Sequence, residues 1–409
     1  MTSAPGLDVD LNDLDLFVHG DVHGTFALLR RHRPVHWNVA PDGGGGGFWA
    51  LTRHQDVLTA YNDPARLSSR HGTVMGGSYR RRSDSAGGRM LIASDAPEHR
   101  LLRQRAHPAF RTDVMERAGV VVRGYVCEAL DQVLADGRAD FADVALELPR
   151  GLLAVMFGLD RDEALRLLTL TRRMIGHQDP SCIGDGAGEM ALVAAQMEIL
   201  DLMNALVTQR RRKPGQDVVS ILLEARLNGR PMTESEILYN CLNIAVGGDE
   251  TTPFTAAAAV EAFAEHPDQY DRLLERPELL DSALNEIFRW TSTNAYVQRT
   301  ARTDLEIGGQ RIAAGESVTL WNVSANFDEA AFERPDLFDI AREPNRHLAF
   351  GSGPHRCIGQ NAAWLEIRIL LEELLARRMR LTVAGPVRRL RSNFMLGPTS
   401  LPVRVEAHR

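Results

Sequence analysis

Between Ala96 and His266 apolar residues recur with a period close to that of an α-helix, and the pattern breaks at Gly137, Pro180-Ser181, Pro214-Gly215 and Gly229-Arg230-Pro231. Glycine and proline are poor residues for a helix interior, so these breaks read as the ends of successive helices. A later run, Gln360 to Arg378, places Ala363, Leu365, Ile369, Leu370, Leu374 and Leu375 on one side of a helix and charges on the other. The flanks follow a different rhythm. Val35 to Val39 and Phe48 to Thr52 read as a hairpin joined by Gly43 to Gly47, and Leu305 to Ile307, Gln310 to Ile312 and Ser317 to Trp321 as short strands about Gly308-Gly309 and Gly315. A last β segment turns at Gly385-Pro386 and Gly397-Pro398, and no internal repeat is present. The predicted fold class is mainly α with a smaller β-rich lobe, in a single domain over residues 1–409. The β-rich lobe is expected from about 30–60 and 295–325 plus the C-terminal strands, the helical lobe from about 96–291 and 358–380.

One helix breaks the local rules. Thr233, three residues before Glu236, forms a capping box that opens a helix running to about Glu265. Inside it lies Ala245-Val246-Gly247-Gly248-Asp249-Glu250-Thr251-Thr252-Pro253. Glycine and proline at mid-helix are unfavourable by about 1 and about 3 kcal/mol per residue. Pro253 cannot donate to the carbonyl of Asp249 and clashes with it, so that turn is expected to open or kink. An opened turn has room for water or oxygen.

Composition narrows the setting. With 44% hydrophobic and 25% charged residues over 409 positions, the chain is of ordinary globular type, and a formal net charge of −7 argues against nucleic acid as a partner. The expectation is that no apolar stretch reaches membrane-spanning length and that the N-terminus, with Asp8, Asp10, Asp13 and Asp15, has no signal-peptide core. That reading gives a cytoplasmic protein without a membrane partner. Four cysteines are present, Cys127, Cys182, Cys241 and Cys357, spaced neither as a zinc site nor as a disulfide framework. Cys127 and Cys241 fall in helical apolar patterns and Cys182 in a loop, which suits small hydrophobes.

Cys357 is different. It lies in Phe350-Gly351-Ser352-Gly353-Pro354-His355-Arg356-Cys357-Ile358-Gly359, just ahead of the 360–378 helix. The free N–H groups and dipole of a helix start favour an anionic sulfur, so the expectation is a lowered pKa and a metal-binding thiolate. Gly353 and Gly359 are expected to let the backbone turn tightly and approach a flat partner. Phe350, Gly353, His355, Cys357 and Gly359 resemble the haem-binding signature of cytochromes P450, and Gly248, Asp249, Glu250 and Thr251 resemble that family's Gly-x-acid-Thr pattern.

The resemblance implies the cytochrome P450 fold, a haem b cofactor (iron protoporphyrin IX) and a Cys357 thiolate as its metal ligand. It implies Glu250 and Thr251 as the catalytic proton-delivery pair. His99, Arg103, Arg299 and His355 would bind the propionates, and Phe350, Gly353 and Gly359 complete the cofactor-binding set. Glu286 and Arg289 match the family's Glu-x-x-Arg pair and are expected to be structural. Two departures stand out: Leu337 occupies the usual arginine place of a Pro-x-Arg-Phe stretch, with Arg342 or His347 as candidates to compensate, and Trp364 stands where many relatives have Arg. The implied activity is O2-dependent hydroxylation or epoxidation of a small organic molecule, with electrons from NAD(P)H through a ferredoxin reductase and a ferredoxin. A place in secondary-metabolite biosynthesis goes with it. Oxidative coupling, nitration, peroxide-driven oxidation, or a haem-thiolate sensor are the alternatives. Pocket walls by the same resemblance include Ala245, Val246, Gly247, Asp249, Ala295, Tyr296, Phe394 and Met395, and Arg80, Arg81, Arg82 and Arg89 form a basic loop.

Overall fold

A computed structural model describes residues 9–40, 46–75, 86–183 and 188–406. Arg80, Arg81 and Arg82, Asp8 and most of the glycine run lie outside them. The main sheet has five strands, β1 (Val35–Val39), β2 (Gly47–Leu51), β3 (Leu67–Ser68), β4 (Tyr296–Ala301) and β5 (Ser317–Trp321), in the order β1-β2-β5-β4-β3. β1 and β2 form the expected antiparallel hairpin, in register Val35↔Leu51 to Val39↔Gly47. β2 then pairs in parallel with β5, joining residues from opposite ends of the chain. A pairing that no local pattern announced ties Arg138–Asp140 to Pro402–Val405, which also pairs Leu381–Val383.

The helices that frame the site are α1 (His54–Tyr61), α2 (Glu98–Ala106), α3 (Thr112–Asp136), α4 (Glu147–Phe157), α5 (Arg161–Ile175), α6 (Gly188–Arg212), α7 (Glu234–Asp249), α8 (Thr251–Glu265), α9 (Leu280–Thr291) and α10 (Gln360–Ala376). α3, α4 and α10 pack as the centre of the helical core, with Val122, Leu130, Leu148, Leu152, Ile367 and Leu371 buried. α3 and α4 touch at Gly151, where a Cβ would lie 2.8 Å from the Cα of Val122, so no larger residue fits. α10 is buried on more than its predicted face. Ile369, Leu370 and Leu374 are buried as expected, but so are Ile367, Leu371 and Glu366, because α3, α8 and α9 enclose the helix from several sides.

One expectation fails on α6. Within Met190–Arg212, 23 residues, an 18-residue window reaches a mean hydropathy of 1.5, so the span is long and apolar enough by length and composition to cross a membrane. The reason is sparse charge, since between Met190 and Gln209 the chain carries only Glu198 and Asp201. Ala195, Ile199, Met203 and Val207 turn into the core, while Met190, Val193 and Met197 are 74%, 54% and 63% exposed.

Between β5 and α10 the chain is held by one buried carboxylate. Glu286 on α9 takes a bidentate pair from Arg289, Nε to Oε2 and Nη2 to Oε1 at 2.8 Å each, and both side chains are fully buried. Arg289 also donates to the carbonyls of Asn326, Pro335 and Leu337. The departure at Leu337 is made good by Arg342, whose Nε lies 3.1 Å from Glu286 Oε2 and whose other nitrogens reach the carbonyls of Glu333, Arg334 and Leu337. His347 instead faces Asn285 at 3.3 Å. The 339 N–H and Asn345 Nδ2 complete the shell of Glu286, at 3.0 Å each.

Charge-assisted bonds of this kind each contribute about 1.5–3 kcal/mol, and breaking a buried pair costs about 3–5 kcal/mol. Arg289→Leu should therefore lower stability by about 3–5 kcal/mol and Arg342→Leu by about 2 kcal/mol. Leu337→Ala should stay within about 0.5 kcal/mol, because position 337 contributes its carbonyl. Urea unfolding of the three variants measures this, and equal losses for Arg342→Leu and Leu337→Ala would contradict it.

Candidate functional site

The cysteine loop is moulded on α1. Gly351 and Gly353 adopt φ of +64° and +67°, a left-handed conformation that glycine takes at no cost. A Cβ on Gly353 would lie 2.5 Å from the Tyr61 carbonyl oxygen, and one on Gly351 would lie 3.1 Å from the Tyr61 ring. Gly353 is thus required by packing on Tyr61. Tyr61 in turn donates its hydroxyl to Asn322 Oδ1 at 2.8 Å. Gly359 has an ordinary φ of −87° and caps α10, and a Cβ there would meet only Phe110 at 3.6 Å and the Cys357 sulfur at 4.0 Å. The tight turn expected of Gly359 is therefore made by Gly351 and Gly353. Phe350 accepts the Cys357 N–H at its carbonyl, 2.9 Å away, and lays its ring on Phe288 with centroids 4.7 Å apart. Trp364 packs behind on the same Phe288 ring, its indole nitrogen buried without a partner.

Cys357 precedes α10 as expected and is accessible. Its thiol is nonetheless pushed up, a correction to the expected lowering. Although the residue as a whole is exposed, protein atoms crowded about the sulfur outweigh the Gly359 N–H and the charges of Arg103 and Arg356 that pull the other way. A metal bound there would have to displace the thiol proton to gain a thiolate ligand.

Next to this loop four cationic or potentially cationic side chains converge. His99 and His355 rings lie 3.8 Å apart, and Arg103 and Arg299 act electrostatically on both. Arg299 is buried on β4, donates to the Gln298 carbonyl at 2.7 Å and lies 5.9 Å from the Tyr61 ring centroid. His99 Nε2 is buried without a partner. Burial first, and then these neighbouring positive charges, push His99 down to about 4 and His355 to about 2. Asp95, which takes the Ser69 N–H at 2.8 Å, is the acid acting on His99 and Arg299. The cluster holds more positive charge than acid.

The distorted helix divides into α7 and α8 at Glu250 (φ −93°, ψ −33°), inside the turn that Pro253 disrupts. The capping box is present, with Thr233 N–H on Glu236 Oε2 at 2.7 Å. Val246, Gly247, Gly248 and Thr251 are accessible, while Asp249 and Glu250 are buried. Asp249 therefore does not line the open side as the sequence suggested: its Oδ2 takes the Thr171 hydroxyl of α5 at 2.7 Å. Burial raises Glu250 to about 7 against the pull of Arg172, and raises Asp249 well above the ordinary carboxylate range, the neighbouring Glu250 adding to the effect. Thr252 points elsewhere and donates to Glu366 Oε2 on α10 at 3.0 Å, and burial lifts Glu366 to about 8. Thr171, Arg172, Tyr61 and Glu366 were all missed by sequence reasoning. Each sits in an ordinary helical pattern, and only Glu366, a charge predicted for the polar side of α10, carried any signal.

Of the expected pocket walls, residues 293–295 and 394–396 are brought together, Ala295 N–H on the Phe394 carbonyl at 2.9 Å and Leu396 N–H on that of Thr293 at 2.8 Å. Ala245, Ala295 and Met395 are buried in the apolar cores, and Phe394 is half-buried. Tyr296 is buried against Trp321 and Phe394, and its hydroxyl takes the Met75 N–H at 3.0 Å.

Residues 186–393 match the family model "Cytochrome P450". Over 96% of its length the chain is 34% identical to linalool 8-monooxygenase of Pseudomonas putida, covering 98% of that protein. The chain belongs to the cytochrome P450 family. Among solved structures, Mycobacterium marinum P450 CYP268A2 in complex with pseudoionone is similar over 99% of both chains (TM-score 0.89, 26% identity). P450 OxyD, involved in the biosynthesis of vancomycin-type antibiotics, is similar over 98% of this chain and 100% of its own (TM-score 0.86, 30% identity).

The P450 cofactor is haem, and the residues present suit it. Among the described residues no group of three or more His, Cys, Asp and Glu side chains is placed to hold a metal ion, so the lone Cys357 sulfur suits an iron whose other ligands arrive with it. The positive charge of Arg103 and Arg299, with neutral His99 and His355 as hydrogen-bonding neighbours, suits two carboxylates, and His99 Nε2 lacks a partner that one of them would supply.

Two outcomes follow. Arg299→Leu removes a buried cation, so the haem-free P450 should be no less stable while the Soret absorbance per chain falls; unchanged haem content would contradict the reading. The second concerns pH. His99, His347 and His23 are held near 4 and His355 near 2, against 6.5 in an unfolded chain. The unfolded chain then binds more protons between these values, so the stability is fully present above about pH 6.5 and is lost as pH falls toward 4. The buried carboxyls Glu250 and Glu366, raised to about 7 and about 8, act with the opposite sign over the same range, so the histidine part is read by difference: between pH 7 and pH 5 the urea midpoint of haem-free His23→Gln should fall less, or rise more, than that of the haem-free wild type.

Proposed function

We propose that this monooxygenase hydroxylates or epoxidises a small organic molecule in secondary-metabolite biosynthesis. The observation that carries the reading is the broken turn at Glu250, where a buried carboxyl poised near neutrality adjoins the accessible Thr251. Its likeness to a monooxygenase of linalool and to an antibiotic-biosynthetic P450 supports the reaction class and its setting. When bound, haem supplies the iron at which O2 is activated, with Cys357 as sulfur donor. His99, Arg103, Arg299 and His355 hold the propionates, and Phe350 and Gly353 fix the loop that presents the sulfur. Glu250 passes a proton toward the accessible side of the helix and Thr251 positions it. A carboxyl with a pKa near the working pH is suited to that task.

Electrons are proposed to come from NAD(P)H through a ferredoxin reductase and a ferredoxin. Arg100, Arg105, Arg346 and Arg356 are exposed around α2 and the cysteine loop of an otherwise acidic chain, and such a patch steers an acidic partner. Arg111 is exposed there too but is paired with Asp113 at 3.0 Å. The proposed setting is the cytoplasm.

Cys357→His should abolish the red-shifted Soret band of the ferrous-carbonyl form, whereas Cys241→Ser should keep it. With ferredoxin, reductase, NADPH and pseudoionone as a probe lacking a hydroxyl, Thr251→Ala should still consume NADPH and O2 but release hydrogen peroxide. Glu250→Gln should slow turnover by about 10²–10⁴-fold. Full coupling in Thr251→Ala would reduce the pair to a helix-bending role.

A further inference from the structure

Asp249 is a second buried acid beside Glu250, and its surroundings restrict its protonation. The Thr171 hydroxyl has one hydrogen and three oxygens within reach: Asp249 Oδ2 at 2.7 Å, the Leu168 carbonyl at 2.9 Å and the Leu167 carbonyl at 3.2 Å. Carbonyls accept only, and so does a carboxylate. If Asp249 is ionised, the single hydrogen serves one of these acceptors. If Asp249 carries its proton on Oδ2, that proton goes to Thr171 Oγ1, the threonine hydrogen goes to Leu168, and the chain is complete. Thr171 also acts on Glu250, pulling it down against burial. Asp249 Oδ1 and Glu250 Oε1 are both buried without partners. Two adjacent carboxylates in a dry site cannot both ionise at low cost.

The other titratable groups at this spot do not cancel the effect. Arg172, on α5 with Thr171, is the positive charge acting on both acids, and its guanidinium is 5.6 Å from the Phe254 ring centroid. It also acts on Asp143 and on Cys182, and Asp179 acts on Cys182 as well. One half-buried arginine faces several acids here, and burial still raises both Asp249 and Glu250.

We propose that Asp249 and Glu250 form a proton-sharing carboxyl pair in which Asp249, aligned by Thr171, holds the proton that restores Glu250 after Glu250 has given up its own. The inference rests on the proposed relay role of Glu250. No electron moves: Glu250 loses a proton toward Thr251 and becomes a carboxylate, Asp249 passes its proton across, and Asp249 regains one from water. Asp249 is then a positioning and proton-holding residue, one step removed from the reacting atoms.

The sign of the pH dependence follows. Glu250 alone loses its proton as pH rises through about 7, whereas in the proposed pair the shared proton stays on Asp249, where the contact with Thr171 accommodates it. In the reconstituted holoenzyme with pseudoionone, wild-type peroxide release per NADPH should stay flat from pH 7 to 8. In Asp249→Asn it should climb, the proton-competent fraction falling about fivefold over that unit of pH if Glu250 titrates alone at about 7. Thr171→Val, which removes the aligning hydroxyl and keeps the carboxyl, should move the profile the same way. An independent readout is the carboxylic-acid C=O stretch in the infrared spectrum of the resting protein at pH 8. It should be present in wild type, absent from the Asp249→Asn spectrum by difference, and displaced in Thr171→Val. Profiles superimposable on wild type, or no acid band lost in Asp249→Asn, would overturn the pair. Glu250→Gln run alongside separates the two ideas: slowed turnover there with a flat Asp249→Asn profile sinks the pair alone, while unaffected Glu250→Gln sinks the relay.

Discussion

Everything on the cysteine side of this P450 hangs on Glu286. A carboxylate with no exposure is costly unless its lone pairs are filled, and here Arg289, Arg342, Asn345 and the backbone of Asp339 fill them. The same guanidinium groups then collect carbonyls from residues 326 to 337, so one buried charge stitches an irregular segment onto α9. Asn326 extends the arrangement by bonding Ser292 at 2.9 Å and taking the Leu348 N–H. Leu348 leads directly into the loop of Cys357. The sulfur is therefore placed by a polar network and a tyrosine post, in a stretch with almost no regular secondary structure to place it.

How much of this was legible beforehand depended on whether the signal was local. The β1–β2 hairpin, the strands at 305–321, the Thr233 capping box and the distortion at Pro253 were readable because alternation, a cap pair and a missing N–H act within a few residues. The cysteine loop and its companions His99, Arg103, Arg299 and His355 were found by family resemblance, and the fold brings them together. What the pattern could not carry was contact across the sequence. Arg342 substitutes for an arginine absent at 337 through a geometry that depends on the whole segment. Asp249 was assigned to the pocket from its place in a motif, yet α5, some 80 residues earlier, supplies the threonine that turns it away. The lowered pKa expected at Cys357 failed for a related reason, since a helix start is a local feature and burial is not. On α6 a window of sparse charge was misjudged outright.

The cysteine loop and the broken turn carry opposite charge arrangements. Near Cys357 cations exceed acids, and at the broken turn buried acids outnumber the one arginine that faces them. A positive side holds and orients an anionic group, while a side rich in reluctant acids retains protons at neutral pH. The two use the same physical lever, desolvation, with opposite sign.

The β2–β5 pairing brings residues 48–51 against 317–320, and the Pro402–Val405 strand reaches back to 138–140. Neither ladder can form on a ribosome until most of the chain has emerged, a delay on the order of tens of seconds at ordinary elongation rates. Over that interval β1–β2 exists only as an isolated hairpin, a form with little stability of its own and with an unpaired edge at Phe48 to Leu51. Arg299, carried on β4, takes up its place beside α2 only once β5 has been made and paired. The cation cluster is thus a late product of synthesis, assembled only after most of the chain has emerged.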